Sequence, residues 1–215
     1  MARISLVYPK MPNSSAARLE RCIAFEKYDG TNLHWVWEPE LGWYAFGTRR
    51  DRFDLDEAGI REFAAAHPGL EEAAPLFLET LEPLLTAAMH QQRFYDSDEL
   101  TVFTEFLGPG SFAGQHVASD NKQLVLLDVL TANGFLSPTD FVEHFRNTPS
   151  ARVLYRGKFT GQFATEVREG CFDVAEGVVC KGGTTGNVWM VKIKTNEYLT
   201  RLKRSFESDW QAYWE

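Results

Sequence analysis

Apolar and polar side chains alternate along several short stretches of the chain, and this alternation predicts β-strands. In the first two stretches, Ile23, Phe25, Trp35 and Trp37 alternate with other side chains on either side of a glycine turn. The predicted strands cover residues 21–26, 33–38, 43–48, 100–107, 123–130, 174–181 and 187–194. The last two flank Gly182-Gly183, where we expect a turn.

Apolar spacings of three and four predict helices between these strands. The longest covers 71–93, with interruptions expected at Pro75 or Pro83. Its predicted core stripe consists of Leu78, Leu81, Leu85 and Met89. The other helices are predicted from Asp54 or Asp56 to before Pro68, from Ser137-Pro138 to 146, from Thr160 to 169, and from Asn196 to 210. Strand pairs separated by helices predict an α+β fold with mainly antiparallel sheets.

Composition restricts the class of protein. With 215 residues, 44% hydrophobic and 24% charged, the chain is expected to form a single globular domain over 1–215. It has no apolar run of the roughly 18–20 residues that span a bilayer and no signal peptide, so we expect a cytoplasmic protein without a membrane partner. Cys22, Cys171 and Cys180 lack metal-type spacing and predict reduced core thiols.

The remaining aromatic and histidine side chains are interpreted as structural. The six tryptophans are expected in the core or packed on the surface, and neither His34 nor His116 has the spacing of a metal ligand.

The net charge of −8 is unusual for a protein that binds nucleic acid, but the charge is unevenly distributed. Residues 1–150 hold 12 Lys+Arg against 22 Asp+Glu, whereas residues 151–215 hold 10 against 8. A local basic patch can therefore bind phosphate while the rest of the surface stays acidic.

The stretch from Phe25 to Asn32 contains the first candidate for chemistry. Lys27 lies two residues before Asp29-Gly30, between two predicted strands. The structural interpretation is a hairpin turn with a solvated lysine. The functional one is a nucleophilic amine at a strand end, which needs desolvation or cationic neighbours to become neutral.

Three later strands carry isolated charges. Glu105 lies in an apolar strand and faces either a solvent-exposed edge or a polar site. Glu176 and Lys181 are five apart, which predicts opposite faces of a regular strand. Lys192 and Lys194 are two apart and should share a face, either solvated or directed at a phosphate-bearing ligand.

The order of these motifs resembles that of the covalent nucleotidyltransferases, which include ATP-dependent ligases and GTP-dependent capping enzymes. Lys-x-Asp-Gly at 27–30, arginines at 49–50, Glu-Phe-x-Gly at 105–108, Glu-Gly-Val-Val-x-Lys at 176–181 and Lys-Ile-Lys at 192–194 follow in sequence. Glu-Lys-x-x-Gly-Thr-Asn at 26–32 and Tyr8-Pro9-Lys10 are similar to ATP-dependent RNA ligases that seal duplex nicks, including RNA-editing ligases. The resemblance covers about residues 5–205.

This resemblance implies a nucleotidyltransferase fold, with the ATP pocket between its sheets. It implies that Lys27 attacks the α-phosphate of ATP, that AMP passes to an RNA 5′-phosphate, and that the 3′-hydroxyl displaces AMP. Glu176 would help to hold Mg²⁺ or Mn²⁺, and Lys192 and Lys194 would bind the α-phosphate and favour uncharged Lys27. The nucleotide-binding set implied by the same motifs is Glu26, Lys27, Asp29, Gly30, Asn32, Arg49, Arg50, Glu105, Lys181, Lys192 and Lys194.

Within that set, the resemblance distinguishes some roles. Glu26 would lie near the adenine. Arg49 or Arg50, together with Glu105, would hold the ribose and the incoming phosphate, and the motif leaves open which arginine aligns.

Two departures from the family pattern keep alternatives open. Residues 124–129 lack the aromatic that stacks on adenine in many relatives, and only 21 residues follow Lys194, where ligases usually carry another domain. Arg201, Lys203 and Arg204 form a candidate RNA-facing cluster there, and a partner protein or domain is expected to supply the missing function.

The alternatives are a small DNA ligase, against which Asn32 argues, another lysyl-nucleotidyltransferase such as a capping enzyme, and an inactive binding module. Use of NAD is not expected, because only 26 residues precede Lys27.

Overall fold

The computed structural model describes residues 7–91, 99–108 and 121–206. These residues form two compact units. The first, here the acidic unit, contains residues 7–8, 30–136 and 140–150 of the described chain; the second, the lysine unit, contains residues 9–29, 137–139 and 151–206. Both are built on antiparallel sheets, which confirms the predicted α+β class.

The elements are as follows. The strands are β1 (Arg21–Lys27), β2 (Thr31–Glu38), β3 (Gly42–Gly47), β4 (Phe53–Asp54), β5 (Leu100–Leu107), β6 (Gln123–Thr131), β7 (Gly134–Phe135), β8 (Val153–Lys158), β9 (Gly177–Thr184) and β10 (Asn187–Lys194). The helices are α1 (Glu57–Ala66), α2 (Ala73–Leu76), α3 (Glu82–Gln91), α4 (Pro138–His144), α5 (Gly161–Arg168) and α6 (Asn196–Phe206). A π-helical turn, Phe77–Leu81, joins α2 to α3, and a short 3₁₀ turn covers Ser14–Ala16.

The acidic unit is a six-stranded sheet in the order β4-β3-β2-β5-β6-β7. Trp35 of β2 stacks between Phe46 and Phe77, with ring centroids 5.3 and 3.8 Å away. Asp56, not Asp54, caps α1: its carboxylate accepts a hydrogen bond of 2.8 Å from the amide of Gly59.

The long helix of the acidic unit departs from the predicted stripe at one position. Leu81, Leu85 and Met89 are buried as expected, but Leu78 is 41% exposed and Phe77 is buried instead. The π-helical turn between the two prolines changes the angular register of the helix, so that an ideal 3.6-residue repeat does not identify every core position.

The lysine unit is a four-stranded sheet in the order β10-β9-β1-β8. One face packs on α5, which Thr160 caps through a hydrogen bond of 3.1 Å from the amide of Phe163. The core on this face includes Cys22, Ala24, Phe163, Val167, Val178, Cys180, Trp189, Val191 and Ile193. Because side chains alternate along a strand, the residues between these core positions lie on the opposite face.

Some boundaries in the lysine unit differ from the predictions. The strand predicted from 174 starts at Gly177, and it continues through Gly182-Gly183 because both glycines pair with β10. The hairpin turn lies at Thr185-Gly186 instead. Strand β8 at the sheet edge was not predicted, because its apolar and polar residues form two blocks and do not alternate. Strands β4 and β7 were not predicted either, because each is only two residues long.

Three expectations about single residue types have mixed outcomes. Cys22 and Cys180 are buried free thiols as predicted, but Cys171 is exposed and not part of the core. Trp35, Trp37 and Trp189 are buried, whereas Trp210, Trp214 and His116 lie outside the described residues. Among residues 7–91, 99–108 and 121–206, no helix combines the length and hydrophobicity that crossing a lipid bilayer requires.

Candidate functional site

Three strand ends meet at one rung of the sheet in the lysine unit. Lys27, the last residue of β1, pairs with Gly177, the first residue of β9. Lys194, the last residue of β10, pairs with the same glycine from the other side. A Cβ atom on Gly177 would lie 2.0 Å from the carbonyl oxygen of Ile193, so only glycine allows β10 to approach this closely.

Glu176 joins the two lysines at this rung. Its Oε2 accepts a hydrogen bond of 2.8 Å from Lys27 Nζ, and its Oε1 lies 3.2 Å from Lys194 Nζ. The Glu176 side chain is only 3% exposed, Lys194 is 10% exposed, and Lys27 keeps 25% of its side-chain surface accessible. Lys27 is therefore a partly accessible amine in a buried, charged cluster, not the solvated lysine of a hairpin turn.

The predicted geometry around Glu176 was partly wrong. Glu176 precedes the first strand residue, so the regular alternation that would place it opposite Lys181 does not apply. Its carboxylate contacts Lys27 and Lys194, which both pair with Gly177. Lys181 lies four residues after Gly177 on β9, so the side chains of all three lysines lie on the same face of the sheet. Lys181 itself is 3% exposed, with its ammonium 4.8 Å from the centre of the Phe25 ring.

Lys192 and Lys194 share a face of β10, as predicted from their spacing. Burial, together with the positive charges of Lys194 and Lys27, lowers the pKa of Lys192 to about 8, against the opposite effect of Glu176. Burial also lowers the pKa of Lys194, which Glu176 partly offsets. The face thus concentrates positive charge, with Glu176 as the carboxylate that neutralises two of its lysines.

Glu26 precedes Lys27, and its side chain pairs with an arginine that the motif pattern had not indicated. Arg152 Nε lies 2.9 Å from Glu26 Oε2, and Arg152 also donates to the carbonyl of Asp173. The amide of Glu26 donates to the carbonyl of Arg152 at 2.8 Å. Arg152 therefore orients the residue to which the resemblance assigns contact with adenine.

Asp29 belongs to a second network of the lysine unit. Its Oδ1 accepts from the Tyr198 hydroxyl at 3.1 Å, and its Oδ2 lies 3.4 Å from Arg201 Nη2. Burial and the negative charge of Glu176 raise the pKa of Asp29 to about 6. The Arg201 guanidinium lies 4.9 Å from the centre of the Tyr198 ring and pairs with Asp29, and its side chain stays 27% exposed. The expectation that Arg201 faces RNA stays a prediction.

Gly30, Asn32 and Glu105 lie together within the acidic unit. The amide of Gly30 donates to Glu105 Oε1 at 3.1 Å, and Asn32 pairs with Glu105 across β2 and β5. A Cβ on Gly30 would lie 2.3 Å from the carbonyl oxygen of Phe106, so the close approach requires glycine. Glu105 is 9% exposed on a central strand, which excludes the solvent-exposed edge as its position.

The turn after β3 carries both candidate arginines, and both are exposed. Asp51 holds the turn: it accepts from the hydroxyl and amide of Thr48 and pairs with His67 at 2.8 Å. The positive charge of Arg49 opposes the rise in the pKa of Tyr8 that burial, Asp128 and Glu105 cause. This electrostatic effect on Tyr8 favours Arg49 over Arg50 as the arginine of the site, since no such effect of Arg50 is found among the described residues.

Strand β6, which lacks the aromatic expected at residues 124–129, contacts Tyr8 from the N-terminal part of the chain. Tyr8 donates a hydrogen bond to Asp128 of β6, and its ring centroid lies 4.9 Å from that of Phe103. Tyr8 and Asp128 are both almost fully buried. The similarity at Tyr8-Pro9-Lys10 was the only sequence signal for Tyr8; nothing local indicated Arg152 or the contact between Tyr198 and Asp29.

The charged groups of the lysine unit fit a nucleotide phosphate with one divalent cation. Among the described residues no group of three or more His, Cys, Asp or Glu side chains could hold a metal by itself. A cation such as Mg²⁺ takes most of its ligands from phosphate oxygens and water, and one or two carboxylates suffice. Glu176 meets that need, because a phosphate that binds Lys27 and Lys194 would free its two oxygens for the metal.

Comparison with protein-family models finds no match, and comparison with curated protein sequences finds none. Solved structures do match over nearly the whole chain. An archaeal ATP-dependent RNA ligase has a TM-score of 0.64 at 15% identity, covering 96% of this chain and 57% of that ligase. A variant of the Naegleria gruberi RNA ligase with AMP and Mn has a TM-score of 0.61 at 12% identity, covering 93% of this chain and 59% of its own.

A third match is the Naegleria gruberi RNA ligase with PPi, at a TM-score of 0.59 and 14% identity, covering 95% of this chain and 62% of that chain. This chain therefore spans less than two thirds of the length of these ligases. At such identities the similarity concerns the fold. The chain has the nucleotidyltransferase fold of these ATP-dependent RNA ligases, which confirms the fold that the motif order predicts.

Proposed function

We propose that this chain is the adenylylating part of an ATP-dependent RNA ligase, with Lys27 as the residue that carries AMP. The observation that supports this most is the pairing of both Glu176 oxygens with Lys27 and Lys194 at one rung. A buried carboxylate that neutralises two lysines stabilises the charged cluster before substrate binds. A phosphate group can then replace the carboxylate as the partner of the lysines.

In the first step, the uncharged Lys27 amine attacks the α-phosphorus of ATP. A phosphorus–nitrogen bond forms while the bond from phosphorus to the pyrophosphate oxygen breaks, and the amine loses a proton. Positive charge from Lys192 and Lys194 stabilises the phosphoryl oxygens and disfavours protonation of Lys27. When bound at Glu176, a divalent cation supplies further neutralisation of phosphate charge.

The later steps transfer AMP to an RNA 5′-phosphate and then seal the strand. The 3′-hydroxyl displaces AMP and forms the phosphodiester. Arg49 and Glu105 of the acidic unit are proposed to hold the ribose and the incoming phosphate, and Asn32 to contribute to nucleotide binding. The single nucleotidyltransferase domain, the ATP pocket between the sheets and a partner that completes sealing stay predictions.

A small DNA ligase, another lysyl-nucleotidyltransferase and an inactive binding module are the competing functions. Lys27, Glu105, Glu176, Lys192 and Lys194 are all retained, which disfavours the inactive module. A panel of nicked RNA, nicked DNA and hybrid duplexes distinguishes the ligases, because each substrate supplies the same 5′-phosphate with a different sugar.

The test of the chemistry is formation of lysyl-AMP. We expect the protein, freed of bound nucleotide and incubated with ATP and Mg²⁺, to gain the mass of one AMP on the peptide that contains Lys27. Lys27→Ala should abolish the gain, because the proposed reaction forms the bond to AMP on the Lys27 amine. Lys158→Ala, on the exposed edge strand of the same unit, should leave it unchanged. Absence of adenylylation with ATP and with GTP, using Mg²⁺ or Mn²⁺, would refute the enzymatic proposal.

A further inference from the structure

A cleft of about 360 Å³ opens beside the lysine cluster, entirely within the lysine unit. It shares Lys192 and Lys194 with the cluster, but Lys27 and Glu176 do not line it. Its lining residues are Asn13, Ser14, Ser15, Arg168, Lys192, Ile193, Lys194, Asn196 and Leu199. The motif pattern assigns no role to the serines or to Arg168.

The segment before β1 builds one wall of this cleft. The amide of Lys192 donates to the carbonyl of Pro12 at 2.9 Å, and Asn13 forms a parallel bridge with Lys192. This pairing covers the outer edge of β10 and places the turn that begins at Ser14 next to the lysine strand. Arg168, in the last turn of α5, donates to the Ser14 hydroxyl and ties the turn to that helix.

The polar groups of the cleft are suited to an anion. Arg168, Lys192 and Lys194 bring three positive charges, and no lining residue among those described is acidic. Lys194 has Glu176 as its partner, but the Lys192 ammonium has no ion pair among the described residues although Lys192 is only 7% exposed. A buried cation without a counterion is costly unless a ligand supplies the negative charge.

We propose that this cleft is a second phosphate subsite, in which Arg168, Lys192 and the hydroxyls of Ser14 and Ser15 bind a phosphate other than the one attacked by Lys27. Arginine and serine bind phosphate oxygens through directed N–H and O–H donors. The description of this subsite as second rests on the proposed function, in which Lys27 attacks the α-phosphate and Lys192 and Lys194 stabilise its oxygens. Lys192 would therefore contribute charge to both phosphates.

Two substrates of the proposed reaction could supply this phosphate. An in-line displacement sends the pyrophosphate away from Lys27, and the cleft contains Lys192 and Lys194 but not the nucleophile. A polynucleotide could supply a backbone phosphate instead, because α6 begins at the cleft with Asn196 and carries Lys203 and Arg204 in its last turn. The chemistry recognised is the same, and separate binding measurements distinguish the two sources.

The experiment compares three variants that each change the net charge by −1. Ser15→Asp places a negative charge in the cleft at an exposed position, and Arg168→Gln removes a cation that lines it. Arg156→Gln is the matched control, because Arg156 is exposed on β8, at the opposite edge of the sheet from β10. Inorganic pyrophosphate binding is measured by calorimetry, and binding of a 5′-phosphorylated single-stranded RNA by fluorescence anisotropy, after thermal melts confirm that each variant is folded.

We expect both cleft variants to weaken binding of at least one ligand about tenfold or more, since a lost or opposed charged contact commonly has this effect. Arg156→Gln should stay within about twofold of the unmodified protein. Weakening of pyrophosphate binding alone identifies the nucleotide tail as the source, and weakening of RNA binding alone identifies the backbone. Equal affinities in cleft and control variants, or no binding of either ligand to the unmodified protein, would overturn the proposal.

Lysyl-AMP formation is measured on the same proteins, so that the two proposals fail separately. A protein that never adenylylates but shows cleft-dependent phosphate binding contradicts the ligase and supports the subsite. If the protein adenylylates normally but the cleft variants bind phosphate as well as the control variant does, only the subsite proposal is contradicted. If Arg168→Gln proves unfolded because its contact with Ser14 is lost, Ser15→Asp decides the outcome.

Discussion

Lys192 and Lys194 are two residues apart on one strand, yet their surroundings give them different electrostatic properties. Lys194 pairs with Glu176 and lies 5.0 Å from the centre of the Tyr198 ring, so its charge is compensated. Lys192 is almost fully buried beside two other lysines, and its pKa falls to about 8. Lys192 is therefore the lysine of this pair whose protonation should respond most to a bound phosphate.

The lowered pKa of Lys192 determines how stability changes with pH and whether ATP binding takes up or releases a proton. An unfolded lysine titrates near ~10.4, so between pH 8 and that value the unfolded chain binds more protons and stability rises with pH. A phosphate anion next to Lys192 raises its pKa again. Binding of ATP near pH 9 should therefore take up a proton.

We predict an uptake approaching about one proton at pH 9, measured by calorimetry of ATP binding in two buffers of different ionisation enthalpy. Lys192→Met should remove most of the uptake, whereas Lys158→Met, on the exposed edge strand, should preserve it. The same uptake in Lys192→Met as in the unmodified protein would show that another group titrates.

Side-chain contacts connect helix α6 to the turn that follows strand β1, the strand that ends at Lys27. Tyr198, in its first turn, donates to Asp29, two residues after Lys27. Thr195 caps the helix by accepting a hydrogen bond of 3.1 Å from the amide of Tyr198. The helix therefore positions the turn that follows Lys27 as well as covering the sheet.

Tyr198→Phe should lower the free energy of unfolding by about 1–2 kcal/mol, because a buried carboxylate loses a hydrogen-bond donor. Tyr155→Phe is a matched control: it loses a hydroxyl that donates to the Lys158 carbonyl at an exposed site, and it should cost less than about 0.5 kcal/mol. Urea unfolding measures both. Equal losses in the two variants would contradict a structural role for the contact with Asp29.

The elements themselves were largely predictable, because alternation and 3.6-residue spacing reflect which side of each element is buried. Strands β5, β6 and β10 and the caps of α1 and α5 follow the sequence patterns closely. The predictions failed where the local pattern was interrupted: at the π-helical turn that exposes Leu78, and at Gly182-Gly183, which continue β9. At the two glycines, pairing with Val188 and Trp189 of β10 decides the backbone conformation, whatever the turn propensity of glycine.

Charge is segregated between the two units of the molecule. Among the described residues, the lysine unit holds 14 Lys+Arg against 8 Asp+Glu, whereas the acidic unit holds 6 against 16. The net charge of −8 therefore conceals a basic unit. A polyanion should be attracted to the lysine unit and repelled by the other, with a strong dependence on salt.

We predict that a 5′-phosphorylated RNA protects lysines of the lysine unit from acetylation, as measured by mass spectrometry. Lys192, Lys194 and Lys203 should be protected, and Lys122 of the acidic unit, which pairs with Glu72, should not. Protection should decline between 50 and 200 mM salt, on the order of ~0.7 in log affinity per log salt for each phosphate contact with single-stranded RNA. Equal protection of Lys122, or protection independent of salt, would refute a basic binding unit.

The sequence by itself determined most of the elements and the identity of the motif residues. Periodicity reports local burial, and the order of the Lys27, Glu105, Glu176 and Lys192-Lys194 motifs predicted the fold that the solved ligases share. Only the tertiary structure decided which charges meet. The pairing of Gly177 with both Lys27 and Lys194 brings Glu176 within 2.8 and 3.2 Å of two lysines. Strand order and register arise from packing across the whole sheet, so no local pattern records the contact between Lys27 and Glu176, 149 positions apart.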